Sequence, residues 1–236
     1  MKKEIIGMIH LAGPDAVQKA LDEINIYASE GLQGVIVENY HGDTDDVERV
    51  LQKLTMNLPM IRIGINILPN QVVEAFELAE KYSIVDFIQL DYIAGHYVSS
   101  KDVVTALNAD KFIELSMKQP KVKVYGGVWP KYYTPHPESI LSVDIFDAVL
   151  LGHAVVVTGT GTGHETPLDK IKQFNEIIDG KSKLIVGAGL TAENVKEQLQ
   201  YADGGIVGSA FKPNGRTHQM VDYKLVRDFM NAVKEI

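Results

Sequence analysis

The sequence has no cysteine, no excess of positive charge and no long hydrophobic run. Without cysteine the chain cannot form a disulfide, hold an iron–sulfur cluster through thiolates or use a thiol nucleophile. Its 23 Lys and Arg residues against 31 Asp and Glu residues give a net charge of −8, which argues against duplex nucleic-acid binding, because that needs a basic face. No stretch approaches the roughly 18 uninterrupted apolar residues of a transmembrane helix. We therefore expect a cytoplasmic protein with no nucleic-acid partner and no membrane span.

Eight short apolar runs, each ending at a polar residue or a glycine, recur along the 236 residues. Their ends are separated by 21 to 36 residues, a spacing typical of consecutive strand–helix units. Eight such units filling the chain predict a single (β/α)₈ TIM barrel, an α/β fold, as one domain over residues 1–236. The runs end near His10, Asn39, Asn66, Asp91, Gly127, Thr158, Gly187 and Gly208.

Polar residues alternate with aliphatic ones in the third to fifth runs. The aliphatic side chains suit the outer face of a barrel strand, so the polar set is expected to point into the barrel. Arg62 and Lys123 then need carboxylate partners, because an unpaired buried charge is costly. Glu4, at the floor of the barrel, is the candidate partner, and we interpret Arg62 as a structural residue.

The candidate catalytic residues stand where strands end, because barrel active sites form at the C-terminal ends of the strands. Glu38 and Asp91 are the candidate general acid and base, although either could instead pair with a lysine or arginine of the barrel. His10 could orient a substrate or transfer a proton, or it could be a core residue. Asn39 and Asn66 could bind substrate hydroxyls. A shift of one residue in register would exchange Glu38 for Asn39 as the inward-facing group.

Glycines at the ends of the seventh and eighth runs predict a phosphate site. Bare backbone there lets N–H groups approach an anion, and the loops after strands 7 and 8 commonly bind phosphate in this architecture. The alternative is that the glycines only relieve tight turns. Lys212 or Arg216 could supply a countercharge, or either could be a solvated surface residue. The predicted phosphate-binding residues are Gly187, Gly189, Gly208 and Ser209.

The sixth run continues into an alternating glycine–threonine loop at residues 158–164. Thr158 and Gly159 could contribute a hydroxyl and bare backbone to the phosphate or sugar oxygens of a substrate. The loop lacks the Gly-Lys-Ser/Thr ending of a P-loop and does not match a dinucleotide-binding fingerprint. A flexible loop that binds no ligand is an equally good interpretation.

No metal-binding motif is present: His-x-His does not follow the first run, and His-Glu-x-x-His does not occur. The sequence therefore predicts no dedicated metal site and implies no firm cofactor. Magnesium shared with a substrate phosphate is the one alternative left open.

Aromatic residues are concentrated after the fifth run, in the loop of residues 129–133. Trp129, Tyr132 and Tyr133 could stack on a substrate ring or cover the pocket. They could equally form a subunit contact, since exposed tryptophan and tyrosine are favoured at interfaces. We favour the contact, and so expect a homo-oligomer formed through this loop.

Six strand-end motifs together resemble the BtpA/SgcQ family. They are GMIHL at residues 7–11, GVIVEN at 34–39, GINIL at 64–68, VVTG at 156–159, GAGLTAENV at 187–195 and ADGGIVG at 202–208. The resemblance implies a TIM barrel related to ribulose-phosphate-type phosphate-binding enzymes, in a family linked by name to photosystem I biogenesis. It implies no established reaction. Two features depart from the family: the loop after the first run is short, and Asp91 stands where asparagine is common.

These observations favour an enzyme acting on a phosphorylated sugar or a nucleotide-like small molecule. Glu38 and Asp91 would move protons in an isomerisation, a lyase step or N-glycosidic chemistry. The alternative is a barrel without catalysis that serves in assembly or regulation, or that senses a ligand.

Overall fold

The computed structural model describes residues 2–98 and 103–236. The strands in these ranges are β1 (Glu4–His10), β2 (Gly34–Glu38), β3 (Arg62–Asn66), β4 (Val85–Leu90), β5 (His96–Val98), β6 (Val104–Ala106), β7 (Lys123–Gly127), β8 (Thr134–Pro135), β9 (Ala154–Val157), β10 (Lys183–Val186) and β11 (Gly204–Val207). The helices are α1 (Ala16–Ser29), α2 (Thr44–Met56), α3 (Val72–Lys81), α4 (Ala109–Lys118), α5 (Leu141–Leu151), α6 (Leu168–Ile178), α7 (Val195–Gln198) and α8 (Tyr223–Val233). Two short 3₁₀ turns, Ser209–Phe211 and Pro213–Gly215, lie between β11 and α8.

Eight of these strands form a closed parallel barrel in the order β1-β2-β3-β4-β7-β9-β10-β11, with β11 pairing back to β1. The predicted (β/α)₈ barrel is therefore confirmed. The remaining strands, β5, β6 and β8, form a small antiparallel sheet built from the segments that follow β4 and β7. This sheet was not expected from the sequence, because its strands are only two or three residues long.

Two apolar layers hold the barrel together. The outer layer lies between the strands and the helices and includes the aliphatic residues of β3, such as Ile63 and Ile65. The inner layer fills the barrel interior with residues from several strands, among them Met8, Phe87 and Tyr125. The alternation seen in the sequence thus places aliphatic side chains outside and larger or polar ones inside, as a tilted barrel strand requires.

Charged side chains close the floor of the barrel around Glu4. Arg62 donates a hydrogen bond to Glu4, as the sequence predicts, and the hydroxyl of Tyr125 donates to the same carboxylate oxygen at 2.7 Å. The expectation for Lys123 was wrong: Lys123 is exposed, and Lys183 is the second cation on Glu4, at 2.7 Å. Burial alone would raise the pKa of Glu4, but the hydrogen bonds from Lys183, Tyr125 and Arg62 outweigh it and lower that pKa.

Within the described ranges, no helix is long and apolar enough to cross a membrane.

Candidate functional site

The carboxyl ends of β1, β2 and β3 lie side by side at one rim of the barrel. His10 pairs in register with Glu38, and Glu38 pairs with Asn66. Glu38 is the last residue of β2 and lines the pocket at the barrel mouth, whereas Asn39 follows the strand. Of the two residues that a change in register would exchange, Glu38 is therefore the one that faces the interior.

Asn66 joins the two predicted acid–base residues. Its Nδ2 lies 3.0 Å from Oε1 of Glu38 and 3.4 Å from Oδ1 of Asp91, and it also donates to Oε1 of Gln89 at 2.7 Å. The hydroxyl of Tyr133 donates to the other oxygen of Asp91 at 2.9 Å. Both carboxyl groups are therefore within hydrogen-bonding reach of one nitrogen atom, and each is held in a defined orientation.

Burial perturbs both carboxyl groups in the same direction. It raises the pKa of Glu38 to about 7, an effect that the charge of Lys131 opposes, that of Asp91 reinforces and the hydrogen bond from Asn66 opposes. Burial also raises the pKa of Asp91, against the hydrogen bonds from Tyr133 and Asn66 and the charge of Lys131. A carboxyl group with a pKa near neutrality can both accept and donate a proton at physiological pH.

His10 lies against this pair as a neutral imidazole. Its Nε2 is 3.7 Å from Oε2 of Glu38, and its ring packs edge-on against Tyr40 at 4.9 Å between centroids. Burial, followed by the charges of Lys212, Lys131 and His41, lowers the pKa of His10 well below its ordinary value. Its Nδ1 is buried and finds no hydrogen-bond partner among the described residues.

A glycine-rich pocket adjoins the carboxyl groups. Gly163 and Gly189 both have positive φ angles, of 77° and 70°, and a Cβ at Gly189 would lie 2.2 Å from the carbonyl oxygen of His164. This pocket brings together all four of the predicted phosphate-binding residues of the late strands: Gly187, Gly189, Gly208 and Ser209. Five residues line both this pocket and the pocket of the carboxyl groups, so the two are continuous: Met8, Glu38, Lys131, Gly187 and Ile206.

Gly208 has a packing role in addition to any contact with a ligand. A Cβ at this position would lie 2.5 Å from Cε1 of His10 and 3.0 Å from Cβ of Met8. The His10 ring occupies the space that a side chain at residue 208 would need. Packing against His10 therefore accounts for Gly208 by itself, which differs from the alternative raised for the glycines, the relief of a tight turn.

Three of the predicted binding residues, Asn39, Gly159 and Thr158, make close contacts with other parts of the protein. The side-chain amide of Asn39 is bonded in both directions to the backbone of Leu68, at 2.8 and 3.3 Å, and so ties the ends of β2 and β3 together. A Cβ at Gly159 would lie 2.6 Å from the carbonyl oxygen of Glu165, which indicates close packing of the loop on itself. Thr158 lines the carboxyl pocket, and its hydroxyl accepts the backbone N–H of Lys131 at 2.7 Å.

Lys212, one of the two candidate countercharges, lines a pocket next to the glycine-rich one, together with Gly163, Gly189 and Ser209. Lys212 is buried, and its Nζ donates to Glu23 at 3.0 Å and to the carbonyl oxygen of Thr217 at 3.1 Å. It thereby fixes the segment after β11 against α1. Arg216 is exposed and lies within that same segment.

The cation that faces both pockets is Lys131, which the sequence did not single out. It belongs to the aromatic loop, which folds over the carboxyl pocket: Lys131, Tyr132 and Tyr133 all line it. The indole of Trp129 is anchored instead to Asp144 of α5, at 2.7 Å. The geometry thus favours the pocket-covering interpretation of this loop, and the homo-oligomer through it stays a prediction.

A threonine of the glycine–threonine loop completes the cover. Thr162 Oγ1 is contacted by the hydroxyl of Tyr40 at 3.3 Å, the ammonium of Lys131 at 3.1 Å and the hydroxyl of Tyr132 at 3.1 Å. Three loops, which follow β2, β7 and β9, therefore meet above the site. The only sequence signal for this arrangement was the density of aromatic residues after β7.

A half-buried lysine on α6 supports the loop from below. The ammonium of Lys170 donates to the carbonyl oxygens of Trp129 and Thr158, both at 2.9 Å. Burial lowers its pKa. Because the same Thr158 accepts the N–H of Lys131, the end of β9 and the start of the aromatic loop are held as one unit.

The two carboxyl groups are arranged to accept hydrogen bonds from an amide nitrogen more than to bind a metal cation between them. In the described part of the chain, no group of three or more histidine, aspartate or glutamate residues could hold a metal ion. Asn66 presents its amide nitrogen, a donor, to both carboxyl groups, where a shared cation would need ligand oxygens. Magnesium brought in by a substrate phosphate stays a prediction.

Comparisons with known proteins agree with this architecture. Over 261 residues the chain is 27% identical to an uncharacterised protein of Methanocaldococcus jannaschii, covering 100% of this chain and 97% of that protein. It is 23% identical over 255 residues to the photosystem I biogenesis protein BtpA of Synechocystis, covering 98% and 88%. Among solved structures, N-(5′-phosphoribosyl)anthranilate isomerase from Pyrococcus furiosus superposes with a TM-score of 0.64 at 16% identity, covering 99% and 100%, and shares the fold.

The resemblance expected from the six strand-end motifs extends over nearly the whole chain. The sequence profile of the BtpA family matches residues 1–235. The chain therefore belongs to the BtpA family.

Proposed function

We propose that this protein is an enzyme that transfers protons on a small phosphorylated sugar or a nucleotide-like compound, in an isomerisation or lyase reaction. The observation that carries the proposal is the position of Glu38. This carboxyl group is buried, has a pKa of about 7, shares Asn66 with Asp91 and opens into a pocket at the barrel rim. A structural carboxylate would be paired with a cation, whereas Glu38 has no lysine or arginine within 4 Å among the described residues.

The two carboxyl groups can divide the work of proton transfer. When Glu38 is ionised, it can accept a proton from a carbon or a hydroxyl of the substrate. Once protonated, it can return that proton to another atom of the substrate. Asp91 is held by Tyr133 and Asn66 and can orient a substrate hydroxyl or take the second proton. Lys131 lines the same pocket as Glu38 and Asp91, and its ammonium group can stabilise negative charge that develops on a substrate oxygen.

The adjoining pocket supports a phosphate group as the second half of the ligand. It combines the positive-φ glycines Gly163 and Gly189 with the hydroxyl group of Ser209 and the ammonium of Lys131. Since Glu38 and Lys131 line both pockets, the phosphate and the reacting atom would be only a few bonds apart, which favours a small ligand. The name of the Pyrococcus isomerase, a phosphoribosyl enzyme with the same fold, supports a phosphorylated substrate as well.

The test combines a binding assay with a proton-exchange assay. Triose, tetrose and pentose phosphates, nucleoside monophosphates and inorganic phosphate are screened by thermal shift, and those that bind are incubated with the protein in D₂O. We expect at least one sugar phosphate to bind and to exchange a carbon-bound proton, seen by NMR. Glu38→Gln should keep binding and lose the exchange.

The phosphate pocket is tested by a matched pair of charge changes. Ser209→Asp places a carboxylate in the glycine-rich pocket and should weaken binding at least about tenfold, the equivalent of about 1.4 kcal/mol. Ser83→Asp makes the same change at an exposed position between α3 and β4, at the opposite end of the barrel, and should leave binding unchanged. Equal binding by Ser209→Asp would contradict the phosphate pocket. Binding without proton exchange would favour a barrel that senses a ligand or serves in assembly.

A further inference from the structure

Helix α5, residues Leu141–Leu151, exposes large apolar side chains on the side opposite the one that meets the barrel. Ile145 and Ala148 are buried against the barrel. The opposite side exposes Val143, Phe146 and Leu150, whose spacings of three and four residues place them in one row along the helix, and Ile140 directly precedes the helix. These residues, the α5 stripe, are Ile140 at 60% exposure, Val143 at 50%, Phe146 at 57% and Leu150 at 68%.

Grooves run along both sides of the α5 stripe. One lies between α5 and the small sheet and is lined by Val104 together with Ile140 and Val143. The other lies toward α4 and is lined by Leu107 together with Leu150. The groove toward α4 is mainly apolar, whereas the groove beside the small sheet also carries the carboxyl groups of Glu138, Asp144 and Asp147.

The size of the stripe exceeds what scattered surface residues explain. With about 150–250 Å² for a large apolar side chain, these exposures amount to roughly 400 Å² for the four residues, as much as the largest apolar patch of a typical monomer. A standard interface buries about 800 Å² per partner, so the stripe alone supplies about half of the area that each copy contributes to a stable dimer, and the residues along the two grooves would supply the rest.

We propose that a second copy of this chain covers the α5 stripe, with the two α5 helices antiparallel about a two-fold axis near Phe146. The stripe is complementary to itself, because an axis near Phe146 brings its apolar side chains against the same side chains of the second copy. The groove beside the small sheet carries Glu138 and Asp147 as well as His96 and His136, so each copy offers both acidic and histidine side chains to the other. The proposal is independent of the proposed function.

The α5 stripe differs from the aromatic loop in the kind of side chain that it offers to a partner. In the aromatic loop, Trp129 donates to Asp144, and Tyr133 donates to Asp91. The α5 stripe consists of side chains without polar groups, so only apolar contact can satisfy it.

The absence of cysteine makes a single-cysteine test clean. In the proposed dimer, residue 146 faces its own copy across the axis, so Phe146→Cys should form a disulfide-linked dimer under mild oxidation. Tyr223→Cys, on α8 at 57% exposure, is the control and should remain uncrosslinked. Both are read on non-reducing gels.

The mass in solution gives the second measurement. Light scattering should show twice the chain mass for the native protein and a single chain mass for Phe146→Asp and Leu150→Asp, with barrel structure retained by circular dichroism. A native protein that stays monomeric at the highest soluble concentration overturns the proposal and points to a different protein as the partner. So does a dimer that survives both aspartate variants, or that is disrupted by Tyr132→Ala instead, which would place the interface at the aromatic loop.

Discussion

Each end of the barrel holds a buried glutamate, and the pKa values of the two residues are shifted in opposite directions. At the floor, Glu4 accepts hydrogen bonds from Arg62, Lys183 and Tyr125, and its pKa is lowered. At the rim, Glu38 has an amide N–H as its hydrogen-bonding partner, and burial raises its pKa to about 7. Residue type is the same and so is the barrel, so the difference lies in the hydrogen-bonding partners and in the deeper burial of the Glu38 carboxyl group.

The floor therefore contributes to stability and the rim detracts from it. A buried carboxylate that accepts hydrogen bonds from cations at the protein surface stays ionised at little cost, whereas a carboxyl group buried without a cation destabilises the fold once it ionises. In barrel proteins the N-terminal face commonly carries stability and the C-terminal face catalysis. The contrast between Glu4 and Glu38 gives that division a physical cause in this chain, and it can be tested at each end.

The largest effect is expected at the floor. Glu4→Gln should lower the free energy of unfolding at pH 7 by about 3 kcal/mol, because it weakens three hydrogen bonds to one buried carboxylate, two of them from cations that are partly exposed and therefore screened by solvent. Since the pKa of Glu4 is lowered in the folded state, its contribution is present above about pH 4.5 and is lost as the pH falls through the folded pKa. The measurement is urea unfolding at pH 7 and at pH 3, where the difference between native protein and variant should shrink.

A conservative partner change serves as the control. Lys183→Arg keeps a cation beside Glu4 and should cost much less than Glu4→Gln. If Glu4→Gln were as stable as the native protein at pH 7, the floor network would contribute nothing and the comparison would fail.

At the rim, replacing the glutamate should raise the free energy of unfolding, by less than the loss expected at the floor. The folded protein holds the Glu38 proton up to about pH 7, whereas the unfolded chain releases it near 4.5, so the native state loses stability as the pH rises between these values. Glu38→Gln removes this loss and should raise the free energy of unfolding at pH 8 by about 2 kcal/mol, somewhat less than the full pKa difference implies. The same variant at pH 4 should be close to the native protein.

Unfolding curves at the two pH values distinguish this effect from simple repacking. A gain in stability that is equal at pH 4 and pH 8 would mean that the amide packs better than the carboxyl group. That result would leave the ionisation of Glu38 unsupported.

The sequence was sufficient to predict the barrel and the convergence of its strand ends. Both depend on local periodicity, and parallel strands bring their carboxyl ends to the same rim whatever the loops do. For that reason Glu38 and Asp91, which are 53 residues apart in the chain, could be expected near each other. The pairing of Arg62 with Glu4 followed from the same alternation.

The sequence raised a cover over the site only as an alternative for the aromatic loop, and the shape of that cover could not be predicted, because it depends on distant contacts. Trp129 and Tyr132 have positive φ angles, of 47° and 69°, which neither residue type favours and which their packing imposes. Lys170 of α6 holds the loop that carries Lys131, and no local spacing relates these residues. The pairing of Lys212 could likewise not be predicted from the sequence, because its carboxylate partner Glu23 lies on α1, 189 residues earlier in the chain.

The smallest expected effect is on the pKa of Glu38 itself. After burial, the charge of Lys131 is the strongest influence on this group, and it opposes the rise. Lys131→Met should therefore raise the pKa of Glu38 above 7, by on the order of one unit, which corresponds to about 1.4 kcal/mol. Carbon-13 NMR of glutamate-labelled protein follows the titration directly and needs no substrate.

Two further variants decide whether charge or shape is responsible. Lys131→Arg retains the charge and should leave the pKa of Glu38 near that of the native protein. Asp91→Asn removes a neighbouring negative charge and should lower that pKa, opposite to Lys131→Met, because the charge of Asp91 raises it. If all three variants moved the pKa in the same direction, loop displacement and not charge would control Glu38. The rim would then differ from the floor in packing, with the cation of the aromatic loop having no electrostatic role there.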